Sequence, residues 1–177
     1  MDAETILHQA RAAAPHLPPE PVLQALAYLP TNNMAGEIYD QHEAIREAVA
    51  LLLYPHVQPN DRAFIRYLLT QEIAQHAAEQ DGMLPNIKRC AAMLYRLGSV
   101  EDSVLIWEAK DTHFDMMCGL DVQLLIGGGL DATVAYLHTV DATDAIEYIE
   151  ACRESGDFAD MERYHRELEQ YFRDVAR

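Results

Sequence analysis

Apolar residues recur at intervals of three and four along most of the chain, and no run of β-branched residues alternates with polar ones as a half-buried strand would. The expected fold is therefore all-α, an irregular array of helical hairpins of about eight or nine helices, short-solenoid-like or packed as an orthogonal bundle. Ile6, Leu7 and Ala10 place a first helix over 3–13, before the turn Pro15 to Pro19, and Val22, Leu23 and Leu26 place a short second one over 20–28. Two longer helices are expected over 35–53 and 61–79, with Ile38, Ile45, Val49 and Leu53 facing Phe64, Ile65, Leu68, Leu69 and Ile73. The short prolyl link 54–60 makes them an antiparallel hairpin. Further helices are expected over 86–97, 100–110, 113–129, 130–138, 141–154 and 157–176, the last striped by Phe158, Met161, Tyr164, Leu168, Tyr171 and Phe172.

Glycines and capping residues punctuate this pattern. Gly98 follows Leu97 where a helix leaves through the left-handed region, and Ser155-Gly156 closes 141–154. Ser99 to Asp102 and Thr112 to Asp115 have the form of a shortened capping box. The stretch 113–129 is apolar nearly all round, which predicts a helix buried on several sides, stopped by Gly127-Gly128-Gly129. Asp121 falls between Met117, Phe114 and Leu125 on that helix, where a salt bridge to Lys88, Arg89 or Arg96 would neutralise it. Residues 98–104 and 128–134 match in character at an offset of 30, as in stacked helical hairpins, without a tetratricopeptide or ankyrin consensus.

A chain of 177 residues suits one domain, 1–177, with 1–34 as an N-terminal capping segment, 35–80 as the long hairpin and 86–177 as repeat-like hairpins. The charge-free run 48–60 holds two prolines and is too short to cross a bilayer, and the first residues lack the pattern of a signal or transit peptide. A cytoplasmic location without membrane attachment is expected, and the sequence is silent on oligomeric state. The three cysteines, Cys90, Cys118 and Cys152, are far apart and on apolar faces, which predicts buried free thiols.

Charge adds a second layer. With 29 acids against 13 Lys plus Arg, the formal net charge is −16, a field that repels nucleic-acid phosphate and favours encounter with a basic protein. Asp144, Glu147, Glu150 and Glu154 recur on the outward side of 141–154 and form the candidate partner-binding ridge. The expected function is that of a non-catalytic acidic interaction module, of an immunity or adaptor kind, which binds a basic partner.

The rival chemistry sits in the long hairpin. Counted from the turn, His42 and Glu72 lie at equal depth, and His76 follows Glu72 by one helical turn, a spacing at which His and carboxylate can share zinc or iron. Glu79 extends this cluster, which would make a metal-dependent helical enzyme with Asp121 in support. The bland version is a buried polar network, with Glu72 in an ion pair with an arginine such as Arg46. Glu162-x-x-His165 occurs once, half of a two-helix carboxylate-metal signature, and 111–115 reads as helix capping. The glycine trio follows a helix and lacks the Lys and Ser/Thr of a phosphate loop, and no Gly-x-Ser-x-Gly elbow is present.

Overall fold

The computed structural model describes residues 1–32, 34, 36–79 and 85–175, with the side chains of Glu79 and Val175 outside that description. The turn expected over 81–84 also lies outside the described residues. In chain order the helices are α1 (Ala3–Ala13), α2 (Glu20–Gln24), α3 (Glu43–Leu53), α4 (Arg62–Glu79), α5 (Pro85–Leu97), α6 (Asp102–Asp111), α7 (Phe114–Gly119), α8 (Leu130–Thr139), α9 (Thr143–Ser155) and α10 (Met161–Val175). Short 3₁₀ turns occupy Tyr54–His56, Pro59–Asp61 and Val122–Ile126. The architecture is all-α apart from one small antiparallel hairpin, β1 (Pro30–Asn32) with β2 (Ile38–Asp40), in which Thr31 pairs with Tyr39.

That hairpin is the first departure from the apolar pattern. The helix expected to begin at Ala35 starts at Glu43 instead, so the expected 35–80 helical hairpin is shorter on its first arm. The reason is local: Asp40 Oδ1 accepts from the backbone amides of Leu29 at 2.9 Å and His42 at 3.0 Å, which ends the strand pair and fixes the turn into α3. His42 thereby becomes the N-cap residue, with φ −106°, rather than a residue of the helix face.

Helices α4 and α5 form the most extensive packing pair, and α1 lies against α3. Ile65, Leu68 and Leu69 of α4 meet a layer from α5 in which Cys90, Ala91, Ala92, Met93 and Leu94 are fully buried. The small residues Ala91 and Ala92 give the two backbones room to approach. Each leucine buried here contributes about 1.5–3 kcal/mol of transfer free energy. The core then continues through Ile106 and Ala109 of α6, Leu124 and Leu125, Leu137 of α8 and Ile149 of α9, to Leu168 and Phe172 of α10.

The stretch expected as one buried helix over 113–129 is two short pieces. Helix α7 ends at Gly119, Leu120 and Asp121 are extended, and the chain resumes as a 3₁₀ turn. The break is held by the buried Lys110, whose Nζ donates to the carbonyls of Met117 and of Leu120, the latter at 2.5 Å. Two pieces present Met116, Leu120, Leu124 and Leu125 to the same core while Phe114 stays 75% exposed, which one straight helix could not do.

Gly127 and Gly128 do more than stop a helix. A Cβ on Gly127 would stand 2.6 Å from the Tyr95 carbonyl oxygen, and one on Gly128 would stand 2.5 Å from Val100 Cγ1. The run therefore lies directly on the end of α5. Gly98 and Gly156 take φ of +73° and +87° after α5 and α9, the left-handed exits their positions predict.

Candidate functional site

The polar interior begins at Arg46, which is fully buried between α3, α4 and the hairpin. Its guanidinium pairs with Asp40 and, through Nε at 2.8 Å, with Glu72, and it donates to Gln75 Oε1 at 2.5 Å. Asn86 Nδ2 donates to the same Glu72 oxygen at 3.2 Å, and Arg89 donates to Asn86 Oδ1. Asp40, Arg46, Glu72, Asn86 and Arg89 thus form one continuous buried chain of polar groups. Burial pushes the Glu72 carboxyl above its ordinary range, an effect that the adjacent Arg46 and the Asn86 amide only partly offset. For Arg46 burial works against the charge, but Glu72 and then Asp40 outweigh it, and the guanidinium is held more firmly protonated than usual.

This is the ion-pair alternative for Glu72, and it occupies the carboxylate that a metal would need. His42 is elsewhere, its Nδ1 hydrogen-bonded to the Ala27 carbonyl at 2.8 Å. His76 is buried, but its ring meets His113 edge to face with centroids 5.8 Å apart, and among the described residues neither of its nitrogens has a hydrogen-bond partner. The structure therefore does not bring His42, Glu72 and His76 into one ligand set. Among the described residues no group of three or more His, Cys, Asp or Glu is placed to hold a metal ion. His42 is not on the helix face because α3 begins only at Glu43, one residue after it, instead of at Ala35. Burial, and next the His113 ring, depress the His76 pKa, with Asp115 pulling the other way.

Asp121 finds one of its three expected partners, Lys88, at 2.9 Å, and accepts from the Tyr164 hydroxyl at 3.2 Å. Burial and then the Asp121 charge raise the Tyr164 pKa well above the phenol range. His165 is exposed and hydrogen-bonds Tyr95 across to α5, while Glu162 faces solvent. His113 caps α7, its Nδ1 accepting from the Asp115 amide at 3.3 Å, in place of the expected Thr112. Asp102, expected in a capping box, is buried and receives Arg62 at 3.0 Å and Arg66. Of the three thiols only Cys90 is buried; Cys152 is half-buried and Cys118 exposed, a correction to the expected set. Cys118 is exposed because the helix breaks just beyond it.

On α9 the ridge takes shape as the apolar spacing implies. Ala145 and Ile149 are buried, while Asp144, Glu147 and Glu154 are exposed and form no ion pair among the described residues. Glu150 differs. It is half-buried and pairs at 3.3 Å with Arg153, which also reaches Asp131 of α8. The turn into α10 adds Asp157 and Asp160, and the start of α10 adds Glu162, all exposed.

Two buried cations escaped sequence reasoning. The apolar spacing puts Arg89 off the inward face of 86–97 and says nothing of Lys110, yet Lys110 and Arg89 are 1% and 2% exposed. Burial lowers the Lys110 pKa, and its ammonium lies 5.0 Å from the centre of the Tyr148 ring. Among the described residues no helix is long and apolar enough to cross a membrane. Comparison with protein-family models, with curated proteins and with solved structures finds no match for the chain.

Proposed function

We propose that the chain is a non-catalytic acidic interaction module, of an immunity or adaptor kind, that binds a basic protein through the outer face of α9 and the start of α10. The supporting observation is that Asp144, Glu147 and Glu154 form no ion pair among the described residues and project from a helix anchored by Ala145 and Ile149. A fixed helix presents these carboxylates in one row at little entropic cost, and a basic partner meets them without first breaking internal ion pairs. Glu150 contributes less to the contact, because Arg153 already holds it. Each exposed pair across such an interface adds only about 0.2–1 kcal/mol, so the field chiefly sets association rate and partner choice.

The test is affinity capture from the soluble proteins of the parent cell, at about 0.05 M and about 0.5 M salt, where the Debye length falls from over 10 Å to a few ångströms. The expected result is a basic protein retained at low salt, released at high salt, and not retained by the D144N/E147Q/E150Q/E154Q variant. A retained protein that is acidic, insensitive to salt, or indifferent to the fourfold variant would sink the proposal.

A further inference from the structure

The structure also carries a pocket whose charge runs against that of the whole molecule. Between α3, α5 and α10 lies a cavity of about 410 Å³, walled by Arg89, Arg96, Arg173, Tyr54, Phe172 and Glu169. Three of the chain's 13 basic residues converge there, and Glu169 is the one acid in the lining. Arg96 is consumed locally: it donates to the Tyr54 carbonyl at 3.0 Å and hydroxyl at 2.8 Å, stacks 4.0 Å over the Tyr54 ring, and pairs with Glu169. Arg173 is exposed and forms no ion pair among the described residues.

Arg89 decides the matter. Burying a guanidinium costs several kcal/mol unless its charge and its five N–H donors are met. Arg46 meets this condition with two carboxylates, while Lys110, also without a carboxylate among the described residues, is held by two carbonyls at the end of α7 and does not line this cavity. Among the described residues Arg89, 2% exposed, has one neutral amide oxygen, that of Asn86, and the Phe172 ring 5.8 Å from its carbon centre. Glu72 lies one amide further on, and Arg46 already holds it. A buried cation without a carboxylate of its own, in the wall of an aromatic cavity, is a site that lacks its anion.

We infer that this pocket binds a small organic anion, a carboxylate or phosphate carried on a flat apolar body. The head would sit between Arg89 and Arg173, and the body against Tyr54 and Phe172, with Leu51 and Pro55 at the rim. The volume falls within the range of small-molecule sites, and an apolar wall with a few convergent polar groups is their usual composition. Glu169, tied to Arg96, sets the affinity by opposing the incoming charge. The site shares none of the α9 carboxylates, so it stands or falls apart from the interaction surface.

The test uses the full chain and three isosteric probes, indole-3-acetate, its neutral alcohol tryptophol and the cation tryptamine, followed by calorimetry and by amide chemical shifts. Saturable binding of indole-3-acetate is expected, at least about tenfold tighter than either analogue, as fits one charge-assisted hydrogen bond. Phenyl phosphate replaces it in a parallel titration, and tighter binding of that probe assigns a phosphate head. R173Q should weaken the anion about tenfold without changing tryptophol. E169Q should tighten it several-fold, an outcome that a merely structural Glu169 would not produce. Both residues reach solvent, so the variants are expected to fold, and unchanged circular dichroism checks this. Absence of saturable binding by both anionic probes, equal affinity for the amine, or indifference to R173Q and E169Q would each overturn the inference.

Discussion

Replacing Arg46 with methionine probes the buried network most directly. The guanidinium is fully buried and stands 2.8 Å from Glu72, with Asp40 paired on its other side. At an effective dielectric of about 20 and about 4 Å between charge centres, each pair is worth roughly 4 kcal/mol before desolvation. Desolvation of three ions, at several kcal/mol each, removes most of that gain, so the intact network is close to neutral against a well-packed apolar substitute. Truncation is different, because it leaves two carboxylates buried without their cation. R46M should therefore lose about 3–5 kcal/mol, a large share of the roughly 5–15 kcal/mol that a domain has. Urea denaturation, followed by circular dichroism and by the fluorescence of the single Trp107, measures the loss. The pH dependence carries a sign. Burial already raises the Glu72 pKa above 4.5, and without Arg46 it rises further. Over the window above 4.5 the folded state then binds more protons than the unfolded state, so R46M should lose stability as pH rises through that window. The R46M/E72Q double variant should recover part of the loss. A cost under about 1 kcal/mol, a loss equal at pH 5 and pH 8, or strict additivity in the double variant would refute the reasoning.

The remaining predictions rest on single contacts. His76 is buried with a depressed pKa, so the unfolded state binds the proton first as pH falls below about 6.5; stability should be full above that value and decline through the folded pKa. H76L should flatten this acid-side decline, and an unchanged profile in thermal melts counts against it. G127A forces a methyl to within 2.6 Å of the Tyr95 carbonyl oxygen at an otherwise helical φ, and should cost about 1–3 kcal/mol in urea titration; a neutral result would mean α5 yields easily. D121A removes the Lys88 ion pair and a hydrogen bond from Tyr164, for a loss of about 1–2 kcal/mol. The same variant should lower the Tyr164 pKa in an ultraviolet titration, and a soluble, equally stable D121A protein would refute a structural role.

How much of this was legible in the sequence depends on where the deciding contacts lie. Helices α4, α5, α9 and α10 follow from their apolar spacing, because one face of each meets the core along its length. The pairing of Arg46 with Glu72 follows from the hairpin, since both sit on its inner side. The β1–β2 hairpin does not follow, because three residues per strand are too few to show alternation, and the contact that fixes it is the Asp40 carboxylate. The break inside 113–129 is tertiary in origin: it depends on Lys110 reaching two carbonyls, which no local pattern announces. Arg89 escaped for the same reason, as its burial requires α10 to close over it through Phe172.

The placement of the cations ties these features together. Arg46, Arg89 and Lys110 are buried, and Arg11, Arg62, Arg66, Lys88, Arg96, Arg153 and Arg163 are each held in an ion pair. Arg166 and Arg173 are the described cations left at the surface without an ion pair, so the acid excess faces solvent almost undiluted. Such a field acts over distances that salt screens, whereas the pocket's guanidiniums act at contact distance in a partly dry wall. The two proposed interactions should therefore respond differently to ionic strength. Binding of a basic partner at α9 should weaken steeply as salt rises. Anion binding at Arg89 and Arg173 should change far less, because salt screens the long-range repulsion from the surrounding acids together with part of the local attraction. Parallel salt series on the two interactions, run on the same protein, would separate a surface set by its overall field from a site set by its nearest groups, and equally steep slopes of one sign would show that both readings rest on net charge alone.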